Sequence, residues 1–311
     1  MGEIDVVVGC NGPIGTELMR RLGADGRSVR GVSRSGRAEA PSGVELVAGD
    51  VGNVDDARRC CDGAAVVYCC VGVDYTRWPE LWPPIVDGLI AGSEAAGAKL
   101  VFADNLYSYG PVAGPMTEDL PPTSFGKKPA LRARISAQLL AAHEQGRVRV
   151  VLGRASDFYG PGVLNAILGE RLFPAALRGK SAQLLGDVDQ PHTFTYAPDF
   201  ARALQTLGER DEALGQVWHV PSAPALPVRK VVELIYELAG KPPRISPMPG
   251  WMLATLAIFL PIMRELKEMS FVWDRPYVVD HKKFAAAFWD DFTPLQAGLE
   301  RTLEWYRQRS A

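Results

Sequence analysis

Three glycines, Gly9, Gly12 and Gly15, break an apolar run over residues 4–22, "IDVVVGCNGPIGTELMRRL", with the spacing G-x-x-G-x-x-G. Placed directly after a strand-like run and before a helix-like one, such glycines let the backbone turn tightly. They bring N–H groups close to a pyrophosphate and let the helix pack against the strand. Asn11, Pro13 and Ile14 complete the cradle. Where a free ribose 2′-hydroxyl would need a carboxylate, the next apolar run ends "GVSRSGR" and offers Arg34 and Arg37. Guanidinium forks suit a 2′-phosphate, so the residues predict NADP(H) in preference to NAD(H). The alternative is that these arginines are a solvated loop. Asp50 and Val51, after the third run, are placed to meet the adenine ring, and Val71 and Gly72, after the fourth, fall where the backbone must pass close to the cofactor.

The elements that must position these residues are legible as alternation. Strand-like runs "DVVVGC", "SVRGVSR", "VELVAGD", "AAVVYCC", "KLVFADN" and "VRVVLGRAS" are separated by helical patterns. Continuous apolar strands between helices imply a parallel sheet covered on both faces, and right-handed crossovers make it a doubly wound α/β fold of the Rossmann type. In "RWPELWPPIVDGLIAGSEAAGA", Pro83 and Pro84 require a break or a helix start at that point. We expect a nucleotide-binding domain over residues 1–160, with later strands returning from about 185–220, and a smaller substrate-binding lobe, interleaved with it, over 161–311.

Composition excludes several classes. Basic and acidic residues nearly balance, 34 against 36, and no Lys/Arg run could track a phosphate backbone, so nucleic acid is not the expected partner. The five cysteines crowd into the first quarter of a chain with no signal-peptide pattern, which predicts reduced, buried thiols and a cytoplasmic protein. The stretch "WMLATLAIFLPIM", residues 251–263, is too short for a membrane span and reads as a buried helix or pocket wall, with an interfacial patch as the alternative. No G-x-S-x-G, H-E-x-x-H or zinc spacing occurs, so neither hydrolase chemistry nor a metal site is expected.

The glycine spacing, the strand-ending "GD", "NLYSYGP" at 105–111, "TEDLPP" at 117–122, "GRASDFYGPG" at 153–162 and "FTYAPDFARAL" at 194–204 together resemble the extended short-chain dehydrogenase/reductases of the NAD(P)-dependent epimerase/dehydratase type. The resemblance covers nearly the whole chain. It implies NAD(P) on the N-terminal domain, a small-molecule substrate in the C-terminal lobe, and a homodimer. It also implies chemistry through a Ser/Thr and a Tyr-x-x-x-Lys pair, in which the lysine lowers the phenol's pKa. The chain departs from that pattern. Asn105 stands at the Ser/Thr place, four residues before Tyr109, and none of the nine tyrosines has a lysine four residues later. In "TSFGKKPALRARISAQLL" one register puts Lys128 at the lysine place and Ser124 at the tyrosine place, while the other puts Arg132 and Lys128 there. An amide at Asn105 can donate to a carbonyl oxygen but cannot relay a proton as a hydroxyl does.

Replacements for the missing phenol follow from the resemblance. Tyr107 and Tyr109 flank the expected nicotinamide position; Tyr109 is the usual packing tyrosine, and Tyr107 is a candidate proton donor with wall packing as its rival. Lys128, beside Lys127, is a candidate for an oxyanion or phosphate, or else belongs to a solvated loop. Asp157 and His192 lie in segments where relatives face substrate, and histidine is a residue type that can serve as acid or base; the alternatives are a loop-bracing Asp157 and a hydrogen-bonded structural His192. Tyr75, with Trp78 and Trp82, follows the fourth strand and would roof a hydrophobic substrate or pack between helices. The expected function is an NADP(H)-dependent oxidoreductase reducing a carbonyl or conjugated double bond of a small apolar metabolite. The alternatives are a cofactor-retaining epimerase, dehydratase, lyase or cyclase, and a non-catalytic NADP(H) sensor with a protein partner.

Overall fold

The computed structural model describes residues 4–248 and 250–310, which form two compact units. The first comprises Met1–Ser108, Pro121–Arg154 and Phe200–Val220. Its sheet holds the six runs expected from sequence: β1 (Ile4–Val8), β2 (Ser28–Ser33), β3 (Glu45–Ala48), β4 (Ala64–Cys69), β5 (Lys99–Asn105) and β6 (Arg149–Ala155). A seventh strand, β7 (Val217–His219), pairs parallel with β6. The order is β7-β6-β5-β4-β1-β2-β3. Val6–Val8 of β1, Val66–Cys69 of β4 and Leu100–Phe102 of β5 are buried apolar runs, as a sheet covered by helices on both faces requires. The order reverses between β1 and β4, and in such sheets ligands bind outside the strand ends at that point. The loops after β1 and β4, with Gly9–Gly15 on one and Val71–Gly72 on the other, lie there.

Helix α1 (Pro13–Ala24) begins on Pro13, whose missing N–H costs nothing in a first turn. Helix α2 (Val54–Cys61) is capped by the Asn53 side chain, which accepts from the N–H groups of Asp55 and Asp56. Helix α3 (Trp78–Ala96) corrects the expectation at Pro83 and Pro84, because it runs through both without a break. The two prolines lie one turn past the helix start, beyond the first four N–H groups that go unpaired in any helix, so each removes a bond. The bonds lost there are offset by burial of Trp82, Ile85, Val86, Leu89 and Ile90. Helix α4 (Lys128–Glu144) follows β5. Four of the five free cysteines are buried and Cys70 is half-buried. Burial pushes the thiols of Cys61 and Cys69 up to about 12.

The second unit comprises Tyr109–Leu120, Ala155–Asp199 and Pro221–Ala311. Within this unit Ala182–Leu185 pairs with Ile245–Met248, and Phe194–Tyr196 with Asp157–Tyr159. The unit's core includes Tyr159, Phe173, Phe194, Ile235 and Leu303, and helices Val228–Leu238 and Leu295–Ser310 contribute side chains to it. The apolar stretch 251–263 is a correction. It forms two helices, Gly250–Phe259 and Pro261–Glu268, and the corner between them leaves Ile258 69% and Phe259 74% exposed, with Leu260 and Ile262 exposed beside them. Pro261 starts a new helix and so splits the run into pieces too short to bury every face. The side chains of 251, 253 and 254 lie outside the described residues. Among the described residues no helix is long and apolar enough to cross a membrane.

Candidate active site

The three loop glycines are there for different reasons. Gly9 has a φ of +80°, and a Cβ on it would stand 2.6 Å from the Cys70 carbonyl oxygen and 2.8 Å from the Val71 nitrogen. The loop after β4 is therefore pressed against the loop after β1. A Cβ on Gly15 would meet the Gly9 oxygen at 2.4 Å, so its absence lets α1 sit on the strand end. Gly12 differs from both. A Cβ there would find only ordinary contacts, the nearest at 3.5 Å, and the backbone φ is −85°, open to any residue. Internal packing does not require glycine at position 12, whereas a diphosphate lying on the turn would. Gly12 is also the N-cap of α1 and offers no side chain to the first-turn N–H groups, which point at the same space together with the positive end of the helix dipole. Gly72, too, faces open space. These residues fit a dinucleotide.

Beyond β2 the chain makes a tight turn, with the Gly36 N–H donating to the Ser33 oxygen and the Arg37 N–H to Ser33 Oγ. Arg34 and Arg37 are exposed on that turn, and neither has an ion-pair partner among the described residues. Asp50 is exposed at the end of β3, where its Oδ1 accepts the Gly52 N–H at 2.9 Å. Val51 is buried, packed so close to α3 that Gly88 could not carry a Cβ.

At the end of β5, Asn105 Oδ1 accepts the Tyr107 N–H at 3.0 Å. The amide oxygen is thus engaged by the backbone, and the NH2 group is the end left to donate to a ligand. The Tyr107 phenol is buried and bonded to the Tyr75 hydroxyl at 2.7 Å. Tyr75 stacks on Trp78, with centroids 5.0 Å apart and planes 8° from parallel. The Lys128 Nζ lies 5.8 Å from the centre of the Tyr75 ring, and the whole residue is only 2% exposed. Lys128, read from sequence as a candidate for either a ligand or a solvated loop, is in fact buried at the start of α4, next to the phenol pair.

The other residue of that register, Arg132, is committed elsewhere. Its guanidinium donates to Asp104 Oδ1 from both Nε and Nη2 and lies 4.5 Å from the Trp82 ring centre. Arg154 Nε donates to the second Asp104 oxygen at 2.9 Å, and Ser136 joins the same carboxylate. Burial raises the Asp104 pKa, but the two guanidiniums outweigh it and hold the carboxyl below its usual range. Arg132 is thus held within this buried cluster. Sequence reasoning missed this cluster, although Lys128, Arg132 and Ser136 at four-residue spacing share one face of α4.

In the second unit the structure brings together two residues singled out separately. His192 Nε2 lies 3.0 Å from Asp157 Oδ2, and the imidazole stacks on Tyr277 at 5.1 Å and on Phe194 at 4.5 Å. His192 is 2% exposed and Asp157 is half-buried. The pairing follows from Asp157–Tyr159 running parallel to Phe194–Tyr196. Among the described residues no group of three or more His, Cys, Asp and Glu is placed to hold a metal ion.

The sequence model of the NAD dependent epimerase/dehydratase family matches residues 6–220, which contain the glycine loop, six of the seven sheet strands with most of β1, and the Asn105–Tyr107 turn. The chain belongs to that family. A dTDP-4-dehydro-6-deoxy-D-allose reductase of a Streptomyces species is 24% identical, over 98% of this chain and 97% of the relative. The trifunctional UDP-glucose 4,6-dehydratase/UDP-4-keto-6-deoxy-D-glucose 3,5-epimerase/UDP-4-keto-L-rhamnose-reductase of Arabidopsis thaliana is 25% identical over 51% of this chain, and this chain spans only 21% of its length. Among solved structures, the dTDP-glucose 4,6-dehydratase of Bacillus anthracis in complex with NAD superposes with a TM-score of 0.80 at 17% identity, covering 99% of this chain and 97% of the other. This family likeness accounts for the doubly wound sheet and for an NAD(P)-binding enzyme.

Proposed function

We propose that the protein is an NADP(H)-dependent reductase of a carbonyl or conjugated double bond, with Tyr107 as proton donor and Asn105 as the group that polarises the acceptor oxygen. The carrying observation is that Asn105 Oδ1 accepts the Tyr107 backbone N–H, which leaves the amide NH2 as the donating end, at the end of a strand of the sheet that bears the glycine cradle. Gly9, Asn11, Gly12, Pro13, Ile14 and Gly15 would hold the diphosphate, Arg34 and Arg37 the 2′-phosphate, Asp50 and Val51 the adenine, and Val71 and Gly72 the backbone approach. Bound there, the cofactor supplies hydride. The protein's own part is to orient the acceptor, donate to its oxygen and deliver one proton. Support for the 2′-phosphate comes from two exposed arginines with no ion-pair partner among the described residues, in a turn that holds no carboxylate. We read the second unit as the substrate-binding part, with His192 and Asp157 as its polar pair.

For the substrate, the aromatic group Tyr75, Trp78 and Tyr107 favours a small apolar carbonyl compound. The names of the relatives favour a second reading, a 4-keto sugar nucleotide. One panel separates them: ketones, enals, enones and a dTDP-4-keto-6-deoxy sugar, each followed at the nicotinamide absorbance with NADPH and with NADH. Oxidation of NADPH by one class, lost in Tyr107→Phe, is the expected outcome. A substrate that is isomerised or dehydrated without any change in that absorbance would replace the reductase reading with the epimerase or dehydratase one. Tighter NADH than NADPH binding would overturn the arginine argument.

A further inference from the structure

A phenol that gives up its proton once per turnover must recover it, and the surroundings of Tyr107 indicate how. Tyr107 is 7% exposed, and its hydroxyl sits 2.7 Å from that of Tyr75, itself half-buried on the 3-10 turn Tyr75–Arg77 that follows β4. The two rings are 6.5 Å apart at the centroid and tilted by 36°, so they meet through their hydroxyls and not face to face. The Tyr75 ring is fixed by its stack on Trp78, whose indole N–H donates to the Val73 oxygen at 2.8 Å. We propose that Tyr75 and Tyr107 form a two-phenol relay in which Tyr107 hands its proton to the substrate oxygen and regains one from Tyr75, which exchanges with water.

The steps balance. A reduced nicotinamide supplies the hydride to the acceptor carbon. The Tyr107 O–H bond breaks as the proton passes to the acceptor oxygen. The Tyr75 proton then passes along the 2.7 Å contact to the Tyr107 oxygen, and Tyr75 is reprotonated from solvent. The charged groups around the pair are those that a transient phenolate needs. Lys128 from α4 lies against the Tyr75 ring, and Arg132, one turn further along, lies 5.6 Å from the Trp78 ring and is paired with Asp104, which it shares with Arg154. On the turn itself Asp74 is occupied by the Thr76 N–H and hydroxyl, and Arg77 by Glu80. A nearby cation favours the phenolate, so Lys128 would act on Tyr75 as the family lysine acts on its tyrosine, although the two residues come from different elements here. Tyr75 is in this scheme a positioning residue that works through Tyr107.

The proposal rests on the reductase reading above, and two measurements keep the two separable. The first needs neither cofactor nor substrate: tyrosinate absorbance followed against pH in the wild type, Tyr75→Phe and Tyr107→Phe. A hydrogen-bonded pair shares its first ionisation, so one phenol of the wild type should titrate earlier than the others. Either substitution alone should abolish that early step. If the early step survives either substitution, or the wild type shows none, the relay is wrong. The second is steady-state reduction of whichever carbonyl compound the panel identifies. Tyr75→Phe keeps the ring on Trp78 and should lower kcat about tenfold or more while KM stays put, and should move the pH profile of kcat. A Tyr75→Phe enzyme with wild-type kcat and pH profile, set beside an inactive Tyr107→Phe, overturns the relay and leaves the reductase reading standing. Full turnover in Tyr107→Phe overturns both.

Discussion

Replacing Gly12 with alanine tests the cradle more sharply than any change at the other loop glycines. A methyl group at position 12 meets no protein atom closer than 3.5 Å, and the residue's φ of −85° is ordinary for alanine. The stability cost is then that of changing an N-cap glycine, about 0.5–1 kcal/mol, or a fall in Tm of roughly 1–4 °C. The same methyl would occupy the space above the first-turn N–H groups. Loss of one charge-assisted hydrogen bond to a diphosphate costs about 1.5–3 kcal/mol, so NADPH affinity should drop about 10- to 150-fold. Gly15→Ala is the contrasting variant: its Cβ would stand 2.4 Å from the Gly9 oxygen and 2.8 Å from the Cys10 Cα, both backbone atoms. It should lose about 1–3 kcal/mol or more through overpacking, with cofactor binding failing as a consequence of misfolding. Thermal melts of the cofactor-free variants, paired with calorimetric titration of NADPH, give both quantities. Wild-type affinity in Gly12→Ala, or a melting point as low as that of Gly15→Ala, would refute the assignment of that space to a diphosphate.

Two further outcomes follow from the same geometry. Arg34→Ala, alone or with Arg37→Ala, should weaken NADPH binding about 10- to 150-fold, the value of one charge-assisted contact, and leave NADH binding unchanged in the same titration. Asp104→Asn leaves two buried guanidiniums facing an uncharged amide and should cost about 3–5 kcal/mol at neutral pH by urea unfolding. Because the folded pKa of Asp104 is depressed, its stabilisation is fully present above the unfolded carboxylate value and is lost as pH falls through the lowered folded value. The acid limb of the wild-type stability curve should therefore flatten in the variant, and equal stabilities at neutral pH would sink this account.

Six of the seven strands of the main sheet were readable because most contain a short apolar run, such as Val6–Val8 and Val66–Cys69, the pattern that a sheet buried on both faces imposes. The glycine loop was readable because its requirement is local, fixed by turn geometry within seven residues. The pairing of Tyr75 with Tyr107 was not, since the two are 32 residues apart on different elements and only the fold brings them together. His192 and Asp157 were singled out one at a time for the same reason, and their proximity needed the pairing of two three-residue strands. The stretch 251–263 misled because hydrophobicity without periodicity does not say which face is covered, and Pro261 converts one apolar segment into a corner. Pro83 and Pro84 misled in the opposite direction, since a rule about helix interiors gave way to the side chains α3 buries.

The first unit is assembled from three separate stretches, Met1–Ser108, Pro121–Arg154 and Phe200–Val220, and one of its two edge strands, β7, comes from the last of them. During synthesis at about 5–20 residues per second, roughly ten seconds separate the arrival of β5 from that of β7. For part of that interval β6, with its run of buried valines and leucine, is an open edge whose N–H and C=O groups can template another chain. The nascent protein is thus most vulnerable to aggregation after the sixth strand has emerged and before the seventh closes over it. A chain truncated anywhere between residues 155 and 216 would keep the nucleotide cradle and also keep that sticky edge permanently.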